Sequence, residues 1–195
     1  MSITSSVTTI EGHHLLNLWV PLALRGHAGA QYILGRMYKE GKGAPRDNEK
    51  AHRWFLMAAE QGNPEAQFYI GQMYTKGCGV EHNDIKAAHW LRHAAESGNV
   101  RGQCYLSRLY ARGMGVPRSY VYAYMWAMLA ASGGRPAHYA GPRRGGNEKI
   151  RTYALNTLEL YARNMTTEET SAAIRMAKNW RNRHQRVLLS DTLRA

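Results

Sequence analysis

Few residues in this chain stand at spacings that chemistry requires. His89 and His93 are four apart, so a helix would place both imidazoles on one face as two ligands for a metal ion. A metal site needs a third ligand, and none is evident in the sequence. Gly41-Lys42-Gly43, Gly77-Cys78-Gly79 and Gly113-Met114-Gly115 resemble phosphate-cradling loops, but each lacks a third glycine and a following Lys-Ser/Thr. Gly-x-Ser-x-Gly, His-Glu-x-x-His and Cys-x-x-Cys are absent. Two cysteines, Cys78 and Cys104, form no disulfide framework, and free thiols fit a reducing compartment. No catalytic, cofactor-binding or metal-ligating residue is therefore assigned, and the chain reads as non-enzymatic. Asn164-Met165-Thr166 has the form of a glycosylation acceptor, but Thr166-x-x-Glu169 is better explained as the capping box that opens a helix.

What remains is charge and aromatic surface. The formal charge is +12 over 195 residues, which favours acidic partners without choosing among proteins, nucleic acids and anionic lipids. Residues 1–134 carry 14 Lys+Arg against nine Asp+Glu, a net +5. Residues 135–195 carry 12 against five, a net +7 in a shorter span. Tyr (12) and Trp (5) far outnumber Phe (2), so aromatic packing relies on rings with a polar handle.

The elements that position these side chains follow from a 36-residue period. Gly41, Asp47, Ala51 and Trp54 recur as Gly77, Asn83, Ala87 and Trp90, and again as Gly113, Ser119, Ala123 and Trp126. The period defines units at 27–62, 63–98 and 99–134, with a half-unit at 12–26 before them. Each unit is a helix pair. Asn63 and Asn99 read as N-caps of first helices, and Asp47, Asn83 and Ser119 as N-caps of second helices. Gly41, Gly77 and Gly113 stop the first helices in a left-handed C′ conformation, and Gly62, Gly98 and Gly134 end the second. Leu34, Gly35 and Tyr38 and their copies form the inner face of the first helices. Ala51, Trp54 and Ala58 and their copies form a core stripe on the second. Pro21 kinks or begins the half-unit helix.

Residues 1–11 read as a flexible arm, 135–147 as a basic Gly/Pro loop, 148–184 as two capping helices and 185–195 as a frayed tail. No apolar run reaches the length of a membrane span. The segment Leu15–Leu24 has no preceding basic region, so the expected location is cytoplasmic. The alternative is periplasmic or secreted, should a signal precede or overlap that segment.

Small-x-x-x-Leu-Gly-x-x-Tyr, Gly-x-Gly-Val, an N-cap, Lys-Ala-x-x-Trp and Ala-Ala at this period resemble the Sel1-like repeat family, 36-residue relatives of tetratricopeptide repeats. The third unit departs most: Ser107 replaces Gly, and Tyr120 and Tyr122 replace the usual acidic and Lys positions. The resemblance implies an all-α solenoid of antiparallel helix pairs in a right-handed superhelix, sealed by two C-terminal helices. It also implies a bacterial type of adaptor, regulator or scaffold that binds a protein or peptide in its concave groove, or a toxin-immunity-type inhibitor on the same scaffold. Some cysteine-rich relatives act on β-lactams, but the disulfide in each of their repeats is absent here, and that activity is not carried over.

Groove-lining positions are sought where the units differ. Tyr32, Arg36 and Lys39 form one stripe, Phe68, Gln72 and Thr75 the next, and Cys104, Arg108 and Ala111, with Arg112 beside them, the third. Tyr, Phe and Arg are residue types that anchor partners. The expected partner is an acidic or amphipathic protein segment. Nucleic acid is the alternative, through Arg175, Lys178, Arg181, Arg183 and Arg186 with Arg143-Arg144.

Overall fold

The structure is a computed structural model that describes residues 16–133 and 146–192, with side chains from 16 to 133 and from 148 to 184. The expected N-terminal arm and residues 135–145 of the expected basic loop, including Arg143-Arg144, lie outside the described residues, as does Gly134, while Gly146 and Asn147 begin a helix. Among the described residues there are nine helices and no strand. A helix over residues 16–24 (α1) runs through Pro21. It is followed by α2 (Ala28–Glu40), α3 (Asn48–Glu60), α4 (Pro64–Lys76), α5 (Asp84–Glu96), α6 (Val100–Arg112), α7 (Tyr120–Ala131), α8 (Gly146–Ala162) and α9 (Thr167–Thr192). The C-terminal helix thus continues to Thr192 where a frayed tail was expected; Val187, Leu188 and Leu189 bring no helix breaker. The chain groups into two compact units, Met1–Trp90 and Leu91–Ala195, that meet within α5.

The caps form as the side chains dictate. Asp47, Asn63, Asn83 and Asn99 each accept the backbone N–H three residues on, at 2.8–3.0 Å. Ser119 does the same for Tyr122 at 3.4 Å. Thr166 and Glu169 close the capping box reciprocally, at 2.8 and 3.1 Å. Gly41, Gly77 and Gly113 are left-handed, with φ of 70°, 64° and 72°. The second glycine of each loop has its own role. Gly79 has φ of +74°, and a Cβ there would overlap the carbonyl of Asn48 at the start of α3, so only glycine admits this approach. The third second-helix ends one residue early, at Ala131, and Gly133 turns left-handed after it.

The core differs from the expected stripe in one column. In α3 the buried residues are Ala51, Phe55, Ala58 and Ala59, while Trp54 is half-buried, as is Trp90 in α5. The tryptophans sit one position off the centre of the face. Trp54 lies against Ala23, Ala30 and Leu34, and Trp90 against the core of α3 and α4. Only Trp126 is buried, at 5% exposure, because α9 covers it with Ala173, Ala177 and the edge-on ring of Trp180. A Cβ on Gly35 would stand 2.5 Å from the Phe55 ring, so the glycine exists to admit the phenylalanine. In the third unit the two positions change together. Ser107 replaces Gly, the Phe position becomes Ala127, and Ser107 donates to the Tyr161 hydroxyl at 3.3 Å.

α7 is apolar on every side, as expected of a buried helix. It packs against α6, α8 and α9. Replacing Phe55 by Ala should cost about 3–5 kcal/mol in urea unfolding, as for other large-to-small core changes. Trp90→Ala should cost less, and an equal or larger loss at Trp90 would restore the tryptophan column to the centre of the face.

Candidate functional site

The stripes expected to line a binding surface do not all reach solvent. Tyr32 and Lys39 are half-buried, Arg36 is exposed, and Gln72 and Thr75 are half-buried. Phe68 is 2% exposed and Cys104 is 6% exposed, so neither is a surface anchor. Cys104 lies under α8, its thiol 3.9 Å from the Ile150 carbonyl, among Val100, Ala130, Ala131 and Ala154. Burial pushes its pKa to about 12, which keeps it a neutral thiol. The variable column at 32, 68 and 104 is a packing column, and its side chains differ in size with what covers them.

The outward stripe of the first helices runs one position further round. On α6 it is Arg101, Tyr105, Arg108 and Arg112, at i, i+4, i+7 and i+11. The equivalent residues are Glu65, Tyr69, Gln72 and Lys76 on α4, and Gly29, Ile33, Arg36 and Glu40 on α2. Arg108 and Arg112 were expected here from the sequence; Tyr69, Tyr105 and Arg101 were not. The variation Ile33, Tyr69, Tyr105 at one repeat position was the available signal.

Two cations on the first helices lie against tyrosine rings. Lys39 Nζ is 5.0 Å from the centre of the Tyr69 ring, and the Arg108 guanidinium is 5.3 Å from that of Tyr105. Tyr69 in turn stacks on Phe55 at 4.8 Å and leans on Tyr32 at 6.1 Å. Arg36 is held differently. Its Nε and Nη2 donate to one carboxylate oxygen of Glu40, at 2.9 and 2.7 Å, and Lys42 reaches the other oxygen at 3.3 Å. Hydrogen bonding from Arg36, with help from Lys42, holds the Glu40 carboxyl below its ordinary value. The charge of Arg36 is therefore answered within α2. On the α6 stripe no carboxylate occurs.

A second tyrosine column carries cations on the other side of the pairs. Lys50 lies over Tyr38 at 5.6 Å and Lys86 over Tyr74 at 5.5 Å. In the third unit Tyr122 takes the lysine's place and stacks on Tyr110 at 5.1 Å, while Arg92 donates to the Tyr110 hydroxyl at 3.0 Å. Tyr120, the other departure from the repeat, accepts from Arg118. No group of three His, Cys, Asp or Glu side chains that could hold a metal ion occurs among the described residues, and both cysteines are free.

The Sel1 repeat family matches residues 28–63, 64–99 and 100–134, more than half of the chain. The chain belongs to the Sel1 repeat family. Among solved structures, a Sel1 repeat protein from Oxalobacter formigenes is 31% identical, with a TM-score of 0.55, over 64% of this chain and 55% of that one. A protective antigen present in uropathogenic Escherichia coli strains, displaying an SLR fold, is 22% identical with a TM-score of 0.59, over 85% of this chain and 40% of that one. The aligned region thus spans about half the length of these two Sel1-type relatives. No curated protein matches. The Sel1 solenoid of helix pairs is the fold observed here, and among the described residues no helix is long and apolar enough to cross a membrane.

His52, beside the lysine–tyrosine column, carries a pH response. Its ring meets Tyr74 edge-on at 5.5 Å, and its Nε2 has no hydrogen-bond partner among the described residues. Burial, and then the charge of Lys86, lower its pKa from the ordinary value of 6.5. The folded state therefore prefers the neutral ring. As pH falls below about 6.5 the unfolded chain takes up this proton first, so stability drops until the lowered folded value is passed. The drop in unfolding free energy between pH 7.5 and pH 5, about the window set by an ordinary His, should shrink in His52→Phe. An undiminished drop in the variant would remove His52 as its source.

Proposed function

We propose that this Sel1 repeat chain is a non-enzymatic protein–protein interaction module that docks an acidic segment of its partner along the outward stripe of α6. Sel1 repeat proteins generally act as protein–protein interaction modules. The observation that carries the finer reading is the contrast between α2 and α6. Both present arginine on the same repeat position, Arg36 and Arg108. Arg36 is already bonded to Glu40, whereas the corresponding residue beside Arg108 is Arg112, a second cation. A partner carboxylate would compete with Glu40 for Arg36, whereas α6 contains no carboxylate of its own beside Arg108 and Arg112.

The residue roles follow from chemistry. Arg108 and Arg112 supply charge-assisted hydrogen bonds, bidentate where the carboxylate lies in the guanidinium plane. Tyr105 offers a ring face and a hydroxyl at low entropic cost, the combination that recurs at binding hot spots. Tyr69 with Lys39 gives the α4 stripe a similar character. Rim charges mostly change association rate, whereas a desolvated arginine–carboxylate pair changes dissociation, so the two can be separated kinetically.

Affinity capture from the source organism's extract with the wild-type chain, followed by titration of the purified partner, tests this. Arg108→Glu/Arg112→Glu should weaken the complex by at least about tenfold, the equivalent of 1.4 kcal/mol. Arg36→Ala should change it much less. Retention of every specific partner by the double reversal, or a larger effect at Arg36, would contradict the assignment.

A further inference from the structure

On the repeats, many of the cations are answered inside the chain. Lys50, Lys86, Lys39, Arg108 and Arg118 lie over tyrosine rings, and Arg36 and Lys42 share Glu40. α9 is arranged otherwise. Between Thr170 and Ser190 the sequence holds five Lys+Arg and no Asp or Glu. Arg175, Lys178, Arg181 and Arg183 are all exposed, and none has an ion-pair, hydrogen-bond or ring partner among the described residues. Asn179 and Asn182 are exposed between them. From Ile174 to Arg183 every exposed residue except Ile174 is Arg, Lys or Asn. The solvent side of this stretch offers guanidinium, ammonium and amide donors, and among the described residues no carboxylate pairs with them.

The other side of α9 is fixed. Ala173 and Ala177 are buried in the core with Trp126, and Met176 and Trp180 pack against the same cluster. A helix that lies in a bilayer interface must insert an apolar face. Among the described side chains the apolar face of α9 is spent on α7, and outward only Ile174 remains, at 42% exposure. The outward face instead complements a polyanion with closely spaced acceptors. From Arg175 to Arg183 the helix advances about 12 Å, at 1.5 Å per residue, and a nucleic-acid strand offers several phosphates over that distance. Asparagine amides among such cations can both donate and accept at base edges.

We propose that the outward face of α9 is a nucleic-acid-binding surface. Arg175, Lys178, Arg181 and Arg183 contact phosphates, and Asn179 and Asn182 lie against sugar or base edges. This surface is separate from the α6 stripe and stands or falls independently of it.

The test is fluorescence anisotropy with the full chain and a labelled duplex DNA or a labelled single-stranded RNA, titrated from about 50 to about 200 mM salt. Binding should weaken with salt. Three to four phosphate contacts give a log–log slope of about −3 to −4 on duplex DNA, at about 0.9 per contact. Lys178→Gln and Arg181→Gln should each make the slope shallower by about one, with the thermal transition unchanged, because neither side chain has a partner among the described residues. Arg108→Glu/Arg112→Glu should leave the slope unaltered. The proposal is overturned by absence of binding to both nucleic acids at the lowest salt, or by slopes that the α9 variants do not change. It is equally overturned if polyglutamate or anionic vesicles bind as tightly and lose affinity in the same variants, since the face would then recognise charge alone.

Discussion

A helix that ends inside a stack of helices leaves carbonyls in its last turn that its own helical ladder does not satisfy. In this chain the answer is a buried glutamine amide. Gln31 Nε2 donates to the Ala23 carbonyl at 3.1 Å, Gln67 to that of Ala59 at 3.2 Å, and Gln103 to that of Ala95 at 3.1 Å. Each carbonyl belongs to the last turn of one helix, and each glutamine to the first turn of the next. The turn between them repeats as well. Gly26, Gly62 and Gly98 are left-handed, and their N–H groups donate to the same three carbonyls. The link fixes the register between a second helix and the first helix that follows it. The junctions are not equal. Gln31 also accepts from Gln61 at 2.6 Å, whereas Gly133 occupies the equivalent place for Gln103 and leaves its Oε1 without a partner among the described residues.

With the register set, the remaining contacts are adjustments of size and charge. Gly35 makes room for Phe55, and the third unit exchanges that pair for Ser107 and Ala127 with Tyr161 alongside. Gly79 lets its loop meet the first turn of α3. Lysines over Tyr38 and Tyr74 shield the half-buried rings with their stems while keeping their charge in water, and Tyr122 serves over Tyr110. These are different solutions to the same packing problem. None of these contacts uses Arg112 on α6 or the exposed Arg175, Lys178, Arg181 and Arg183 on α9.

The 36-residue period made much of this legible. Caps at Asp47, Asn63, Asn83 and Asn99, the left-handed Gly41, Gly77 and Gly113, and the Thr166–Glu169 box all follow from local chemistry that the sequence states outright. What periodicity does not state is the angle at which one helix meets the next. A first helix in such an array has two buried faces, and a column buried against a changing neighbour varies like a surface column. That is why Phe68 and Cys104 looked like binding residues, and why Phe55 was hidden beside the more conspicuous Trp54. The Gln31, Gln67 and Gln103 column repeated without variation, yet a polar residue type gave no reason to place it inside.

Residues that repeat unchanged build the junctions, and the outward residues that do not repeat are those to which we assign recognition as a proposal. The measurement that tests this most directly is urea unfolding of Gln31→Leu, which keeps the volume of the buried side chain and removes its amide. A loss of about 1 kcal/mol or more, the ordinary worth of a buried hydrogen bond, is predicted. Stability equal to that of the unaltered chain would mean that packing alone sets the register, and that the glutamine junction is not what the fold rests on.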